Sequence, residues 1–370
     1  MKRKLPAIIL FLLLLFTFKS YSQLQTLSGG KLNVEDLDKY IRKQMDSLAM
    51  PGLSFALINK GKVVYHRSYG VTNVENKLKV DAQSIFEAAS MSKTVFAYFV
   101  LRMVDKNLLE LDTPLYRYMA YKDIEKDERY KLITARMVLS HTTGFPNWRY
   151  FDKRDESLYK YGELYLKFTP GTQFAYSGEG YRYLSLVVAH LNGLSIQTLD
   201  PLFQKEVAKP LHMKHTWFSG NDYISIHKVQ GHINGKMTKK AWSTSFPEQD
   251  STWLDAAGGL HTEALDFSAF LIGLMKGKGL SKSILNEMFK QQVVLDKTTP
   301  HYVVNGDTGW GLGIAIKPVT YGTIYEHGGN NGDFQSGFKI NRANQNGYVF
   351  FTNCEQGVTF NNRIAELLIK

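Results

Sequence analysis

Ala88-Ala89-Ser90-Met91-Ser92-Lys93-Thr94-Val95-Phe96-Ala97-Tyr98-Phe99-Val100 is the stretch on which the reading of this chain turns. Two small residues lead into a serine, a lysine follows three positions later, and a strongly apolar run continues to Met103. The spacing of Val95, Phe96, Phe99, Val100 and Met103 predicts a helix from about Ser90 to Lys106. Residues three apart on a helix share a face, so Lys93 stands one turn beyond Ser90. A buried amine can shed its proton, because desolvation disfavours the charged form. The free amides at a helix start favour developing negative charge nearby. Together these features can activate a serine without histidine. The Ser-x-x-Lys spacing alone carries little weight, since Ser28/Lys31, Ser157/Lys160, Ser225/Lys228 and Ser336/Lys339 repeat it. Only Ser90 opens a long apolar helix; for the other four pairs, a helix-capping serine and a solvated lysine are expected.

Outward from that helix, the pattern changes character twice. Asn33 can cap a helix running through Met50, with Leu37, Ile41, Met45 and Leu48 at helical spacing and Pro51-Gly52 as its stop. Leu53–Ile58 and Val63–Tyr69 are β-rich, and Asn59-Lys60-Gly61-Lys62 between them reads as a hairpin turn. The middle of the chain is mostly helical, for example at Ala135–Ser140, Tyr181–Leu191 and Leu265–Lys276. Strand character returns at Trp310–Ile316, Thr323–Glu326, Phe334–Ile340 and Tyr348–Asn353, before a last amphipathic helix from about Phe360 to Lys370. Strands alternating singly with helices would indicate a doubly wound parallel sheet, and that alternation is missing. The expected fold is α/β of the α+β kind: one antiparallel sheet built from both chain ends, flanked by helices, with a large helical insertion. The sheet part spans about 23–94 and 301–370 and the helical part about 95–300, with a cleft between them suited to a site.

The chain has 370 residues, of which 44% are hydrophobic and 21% charged, ordinary proportions for a globular protein. Its single cysteine, Cys354, excludes a disulfide framework and a multi-cysteine metal site. Residues 1–22 read as a secretory signal peptide: Met1-Lys2-Arg3-Lys4, an apolar run from Leu5 to Phe18, then Ser20-Tyr21-Ser22. That run is too short for a membrane anchor, which needs about 20 apolar residues, so a periplasmic or secreted protein is expected. Removing Lys2, Arg3, Lys4 and Lys19 lowers the net charge from +11 to +7. The remaining basic residues are scattered, without the concentrated footprint of a nucleic-acid binder. No histidine is followed by glutamate, and neither G-x-S-x-G nor a phosphate-binding G-x-x-x-x-G-K-[ST] occurs. His212 and His215 could share a helix face but lack an obvious third ligand. The expectation is therefore no metal and no cofactor.

Two later segments accompany Ser90. Tyr176-Ser177-Gly178 precedes a helix, and His327-Gly328-Gly329-Asn330 closes the strand Thr323–Glu326, where paired glycines let a substrate approach the backbone. Ser90-Met91-Ser92-Lys93, Tyr176-Ser177-Gly178 and His327-Gly328-Gly329, in that order, resemble the three signature motifs of the serine β-lactamase and penicillin-binding protein superfamily. The similarity is to its class C β-lactamase-like branch, which includes D-aminopeptidases, D-Ala-D-Ala carboxypeptidases, esterases and acyltransferases. Leu139-Ser140-His141-Thr142-Thr143-Gly144, Ala257-Gly258-Gly259-Leu260 and Thr308-Gly309-Trp310-Gly311-Leu312-Gly313 resemble further segments of that branch, so the likeness covers nearly the whole mature chain.

The resemblance implies roles. Ser90 is the implied nucleophile, Lys93 its activator, and Tyr176 the general base and the acid for the leaving group. The backbone amides of Ser90 and Asn330 form the implied oxyanion hole, and Ser177, Gly178, His327, Gly328 and Gly329 the substrate-binding positions. Two positions depart from the family pattern: Gly178 stands where asparagine is usual, and His327 where β-lactamases carry lysine. Both changes leave acyl transfer intact and weaken the case for penicillin hydrolysis. The leading expectation is a serine hydrolase acting through an acyl-enzyme on an ester or amide, such as a D-amino-acid peptide. The alternatives are an acyltransferase using an alcohol or amine acceptor, a class C-like β-lactamase, and a non-catalytic penicillin-binding-type sensor.

Overall fold

The computed structural model describes residues 23–369; the leader expected over 1–22 lies outside the described residues. The hairpin forms as its sequence predicts, with β1 (Gly52–Asn59) and β2 (Lys62–Gly70) antiparallel. Lys60 and Gly61 both take left-handed φ values, of 50° and 66°, as a tight hairpin turn requires. Late in the chain come β3 (Val293–Val294), β4 (Gly309–Trp310), β5 (Ala315–Val319), β6 (Gly322–Asn330), β7 (Gln335–Asn341) and β8 (Asn346–Thr352). These join one eight-stranded sheet in the order β2-β1-β8-β7-β6-β5-β4-β3, with every neighbouring pair antiparallel. The two ends of the chain meet at the β1–β8 pairing, where Phe55 lies opposite Phe350.

Every residue of β1, β7 and β8 is buried, because helices cover both faces of the sheet. On one face α1 (Val34–Ser47) and the C-terminal helix α7 (Gly357–Leu368) place Leu37, Ile41, Phe360 and Ile364 against Leu53, Phe55, Leu57 and Phe350. On the other face α2 (Ser92–Asp105) and α5 (Ala264–Lys276) bring Val95, Phe99, Phe267 and Leu271 against Ala56, Ile58, Phe338 and Phe351. Alternate residues of β1 thus serve opposite cores, as the two-residue strand period demands. Between α2 and α5 lie α3 (Ala135–Leu139), α4 (Gly178–Leu191) and further short helices and turns; α6 (Lys282–Phe289) follows α5. The result is an antiparallel sheet flanked by helices with a helical insertion. Among the described residues no helix is long and apolar enough to cross a membrane.

Four local expectations need correction. The stretch Trp310–Ile316 is two strands: Gly311 to Ile314 is a turn, with Gly313 at φ 77°. A side chain at Gly313 would collide with Ala97 of α2, and the Gly313 carbonyl accepts from Thr94 Oγ1 at 2.7 Å, so helix packing imposes the break. The strand expected over Thr323–Glu326 continues through His327-Gly328-Gly329-Asn330, which form its last four residues, because β6 stays paired with β7 as far as Asn330 and Gln335. Ser90 sits not in the helix proper but in a one-turn 3-10 segment, Ala89–Met91, that feeds α2. α1 stops at Ser47, and Asn33 at its start makes no side-chain cap.

Candidate active site

The backbone of the Ala88–Ser90 turn is held from three sides. Ala88 N–H donates to the Leu260 carbonyl at 2.8 Å, Ser92 Oγ to the Ala89 carbonyl at 2.5 Å, and Ser336 Oγ to the Ala88 carbonyl at 2.7 Å. Ala89 is forced to φ 49°, a left-handed conformation that a residue with a Cβ adopts only where its surroundings over-determine it. Gly329 of β6 has no room for a side chain there, since a Cβ would strike the Ala88 carbonyl and Ser336 Oγ. The serine turn and the β6 edge that carries Asn330 are therefore pressed together.

Ser90 is half-buried, and Lys93 one turn on is 1% exposed. Lys93 Nζ donates to Ser90 Oγ at 3.2 Å and to the Ala257 carbonyl at 2.8 Å. Three aromatic rings surround the amine: its nitrogen is 4.7 Å from the centroid of Tyr176, 5.7 Å from Tyr181 and 5.9 Å from Trp148. Rings favour an ammonium, but burial works against the charge and dominates, bringing Lys93 down to about 7 against a weaker pull from Asp255. The amine is thus half-neutral near pH 7 while in contact with a serine hydroxyl.

Tyr176 reaches the same place from the loop before α4. Its hydroxyl is buried without a full hydrogen bond, and burial pushes it well above the ordinary phenol range, with Ser90 opposing. His141 supports its ring at 4.3 Å, and Trp310 of β4 and His301 stand at 5.9 and 5.4 Å. His141 Nδ1 accepts from the Ser177 N–H at 3.1 Å, so its hydrogen is on Nε2. His327 Nδ1 faces the Gly328 carbonyl at 2.7 Å. Burial, then Lys93, drives His141 far down and His327 to about 3, which leaves both imidazoles neutral.

The structure brings together Ser90, Lys93, Tyr176, His327 and the Gly328–Gly329 edge. Ser177 is different: its hydroxyl caps α4 by accepting from Gly180 N–H and donates to the Pro146 carbonyl, so it is spent on the fold. Gly328 is exposed, with open space beside it, whereas Gly329 is used in packing. The sequence reading overlooked Trp148 and His301 and gave His141 and Trp310 no part in the site. Only the last two had a signal, as members of segments already singled out. His212 sits exposed on a left-handed turn and His215 stacks on Tyr223, so they share no helix face. His215, Glu263 and Asp266 do bring ligand atoms within 4.8 Å of one another. Both carboxylates are already occupied: Glu263 caps α5, and Asp266 accepts from Thr216 Oγ1 and the His215 N–H.

The Beta-lactamase family profile matches residues 37–369, nearly all of the described chain. The chain belongs to the Beta-lactamase family. That family belongs to the β-lactamase and penicillin-binding protein superfamily of serine hydrolases, and this chain shares the fold of solved members. The chain is similar to an octameric penicillin-binding protein homologue from Pyrococcus abyssi, with a TM-score of 0.76 and 21% identity over 92% of this chain and 78% of that one. It is also similar to D-alanine carboxypeptidase AmpC from Burkholderia cenocepacia, with a TM-score of 0.70 and 19% identity over 91% of this chain and all of that one. Among curated sequences, Protein flp of Staphylococcus aureus (strain NCTC 8325 / PS 47) is 24% identical over 208 residues, 54% of this chain. That match spans 41% of the length of Protein flp.

Proposed function

We propose that this family member is a secreted or periplasmic hydrolase that cleaves an ester or amide through an acyl-enzyme on Ser90. The contact of Lys93 Nζ with Ser90 Oγ at 3.2 Å, with a carbonyl and no carboxylate as the second partner of the amine, is the observation that carries this reading. The neutral Lys93 amine takes the Ser90 proton as Oγ attacks the substrate carbonyl. The oxyanion so formed meets the backbone N–H groups of Ser90 and Asn330, a type of donor worth about 3 kcal/mol each in the barrier. When the tetrahedral adduct collapses, the leaving alkoxide or amine receives a proton from Tyr176, which Lys93 then replenishes. Water repeats the sequence in reverse to free the acid. The opposed shifts of Lys93 and Tyr176 support base and acid roles respectively, in place of a resting phenolate base.

The substrate class follows from what surrounds Ser90. A neutral His327 gives no fixed positive charge for a β-lactam carboxylate, and Gly178 offers no side-chain amide. Esters and small amides therefore fit better than penicillins. D-alanyl peptides belong among the candidates because a structural relative is a D-alanine carboxypeptidase. The test is fluorophosphonate labelling followed by peptide mass spectrometry, with kcat/KM measured for p-nitrophenyl esters, D-amino-acid amides and nitrocefin. The expected result is an adduct on Ser90 and highest turnover for the esters. A label on another serine overturns the mechanism, and nitrocefin as the best substrate by a wide margin overturns the substrate class.

A further inference from the structure

Gly178 is the first residue of α4, and it is not a glycine for its backbone: its φ is not among the left-handed values. Glycine weakens a helix relative to other residues, so its presence needs a reason of space. A Cβ at position 178 would bring three carbons of the Trp148 indole within 2.6 Å. The indole thus occupies the volume into which any side chain at 178 would project.

Trp148 is anchored through its backbone and packed through its ring. Its backbone N–H donates to Asp152 Oδ1 at 3.3 Å, and its ring meets Phe246 edge-on at 5.6 Å. The preceding Asn147 receives the Gly178 N–H on Oδ1 at 2.9 Å, and its carbonyl accepts from Glu179 N–H at 3.2 Å. The following Arg149 grips the buried Glu179 carboxylate through its backbone N–H at 3.0 Å and its guanidinium at 2.8 and 3.0 Å. Both neighbours of Trp148 are therefore strapped to the first turn of α4. The indole also stands 5.9 Å from Lys93 Nζ and, with Phe151, forms the aromatic wall of a cleft of about 240 Å³ whose other walls are polar, among them Lys240, Ser243, Thr244, Asp255 and Asn330.

We propose that Trp148 is a specificity-determining wall, fixed against Gly178, that selects acyl groups with a flat apolar flank, such as arylacetyl groups, over acyl groups that need a side-chain amide at 178. The proposal rests on the Ser90 acyl-enzyme reading. An aromatic acyl group in the cleft stacks on the indole while its carbonyl lies beside Asn330. An acylamino group in the same place meets the indole where a side-chain amide at 178 could have paired with it, and the loss of that contact discriminates.

The test compares kcat/KM for p-nitrophenyl phenylacetate, acetate and N-acetylglycinate in the wild type and in Trp148→Ala, Trp148→Phe, Gly178→Asn and the Trp148→Ala/Gly178→Asn double variant. Fluorophosphonate labelling of Ser90 is run on each. In the wild type phenylacetate is preferred; Trp148→Ala reduces its rate relative to acetate about tenfold, and Trp148→Phe preserves the preference. Gly178→Asn alone impairs every ester through its collision with the indole. The double variant recovers and turns the preference toward N-acetylglycinate. If Ser90 is labelled but Trp148→Ala leaves the phenylacetate-to-acetate ratio within twofold, the wall is refuted while the acyl-enzyme reading stands. A double variant no better than Gly178→Asn refutes the exchange of space. An unlabelled Ser90 in the wild type brings down the acyl-enzyme reading and this proposal with it.

Discussion

Two buried lysines follow a serine by three positions, yet their surroundings make opposite use of them. Lys93 is on a helical turn, so it stays on the side of Ser90 and meets that hydroxyl and a carbonyl. Lys339 is in β7, where residues three apart point to opposite faces. Ser336 accordingly reaches the Ala88 carbonyl behind the Ser90 turn, while Lys339 pairs with Glu326, directly opposite on β6. One lysine is buried without a counter-ion and loses its proton easily; the other is buried with a counter-ion. The Ser-x-x-Lys spacing acquires chemical meaning only from the element it sits on and from what the fold places beside the amine.

The sharpest way to break this contrast is at the Ser90 cluster. Lys93→Ala and Tyr176→Phe should each lower kcat/KM by about 10³-fold or more, and the double variant should be little worse than either, because groups acting as one unit do not add. Losses that multiply in the double variant would show that the two act separately. Lys339→Met tests the other lysine. It leaves the buried Glu326 carboxylate unpaired and should remove about 3–5 kcal/mol of stability by urea denaturation. Ser90 labelling of the folded fraction should persist, and Glu326→Gln/Lys339→Met should restore most of the stability. A Lys339→Met variant as stable as the wild type would mean that the pair contributes nothing.

That second lysine also marks the limit of what was legible in the sequence. A solvated lysine was the natural reading of Lys339, since its partner Glu326 lies 13 residues away across a strand pairing that no local pattern reveals. The helix periods around Ser90 and Leu265 and the hairpin turn at Lys60-Gly61 are local, and they were readable. The turn at Gly311 to Ile314 was not, because α2 imposes it from more than 200 residues away. The continuation of β6 through Gly328-Gly329 was hidden too, since two glycines read as a strand end until β7 pairs with them. In the site, Ser90 and Lys93 were visible from their spacing at the start of a long apolar run, and Tyr176 only through family resemblance. Trp148 and His301 carry no pattern of their own; the first reaches the site from a loop and the second from the start of a short π-helical turn, His301–Asn305.

The pH dependence sharpens the contrast at Lys93. Its folded-state value is lowered to about 7 by burial, so the neutral amine grows as pH rises through that point. kcat/KM for a neutral ester should climb about tenfold per pH unit below 7 and level off above it, if the neutral amine is the base. His327 and His141, lowered further by burial, are already neutral across this range and leave the profile to Lys93. A rate that falls as pH rises from 6 to 8 would contradict the assignment. Protonation of Lys93 in the unfolded chain adds a second sign. Between about pH 7 and the ordinary lysine value the unfolded state binds the extra proton, so this group makes folding more favourable as pH increases. In Lys93→Met that contribution to the pH slope should vanish, which denaturation at several pH values measures.

The smallest expected effect is at Ala89, whose left-handed φ of 49° separates strain from chemistry at the Ser90 turn. Glycine adopts that conformation freely, whereas a left-handed alanine costs about 1–2 kcal/mol. Ala89→Gly therefore relieves the turn, but it also removes a buried methyl worth about 0.8 kcal/mol and adds backbone freedom to the unfolded chain. These terms oppose each other, so stability should change by less than about 1 kcal/mol. Activity has no such compensation. The Ala89 methyl lies against the Gly329 position of β6, and the hydrogen bonds from Ser92 and Ser336 hold the turn in one geometry only while its backbone has little choice. With glycine the serine samples other orientations, and the rate of Ser90 acylation should fall about two- to fivefold, an effect of the kind that small misplacements of reacting groups produce. Unchanged stability with a slower labelling rate identifies the left-handed turn as a positioning device. An unchanged labelling rate shows that the Ser92 and Ser336 hydrogen bonds alone suffice to hold Ser90 against Lys93.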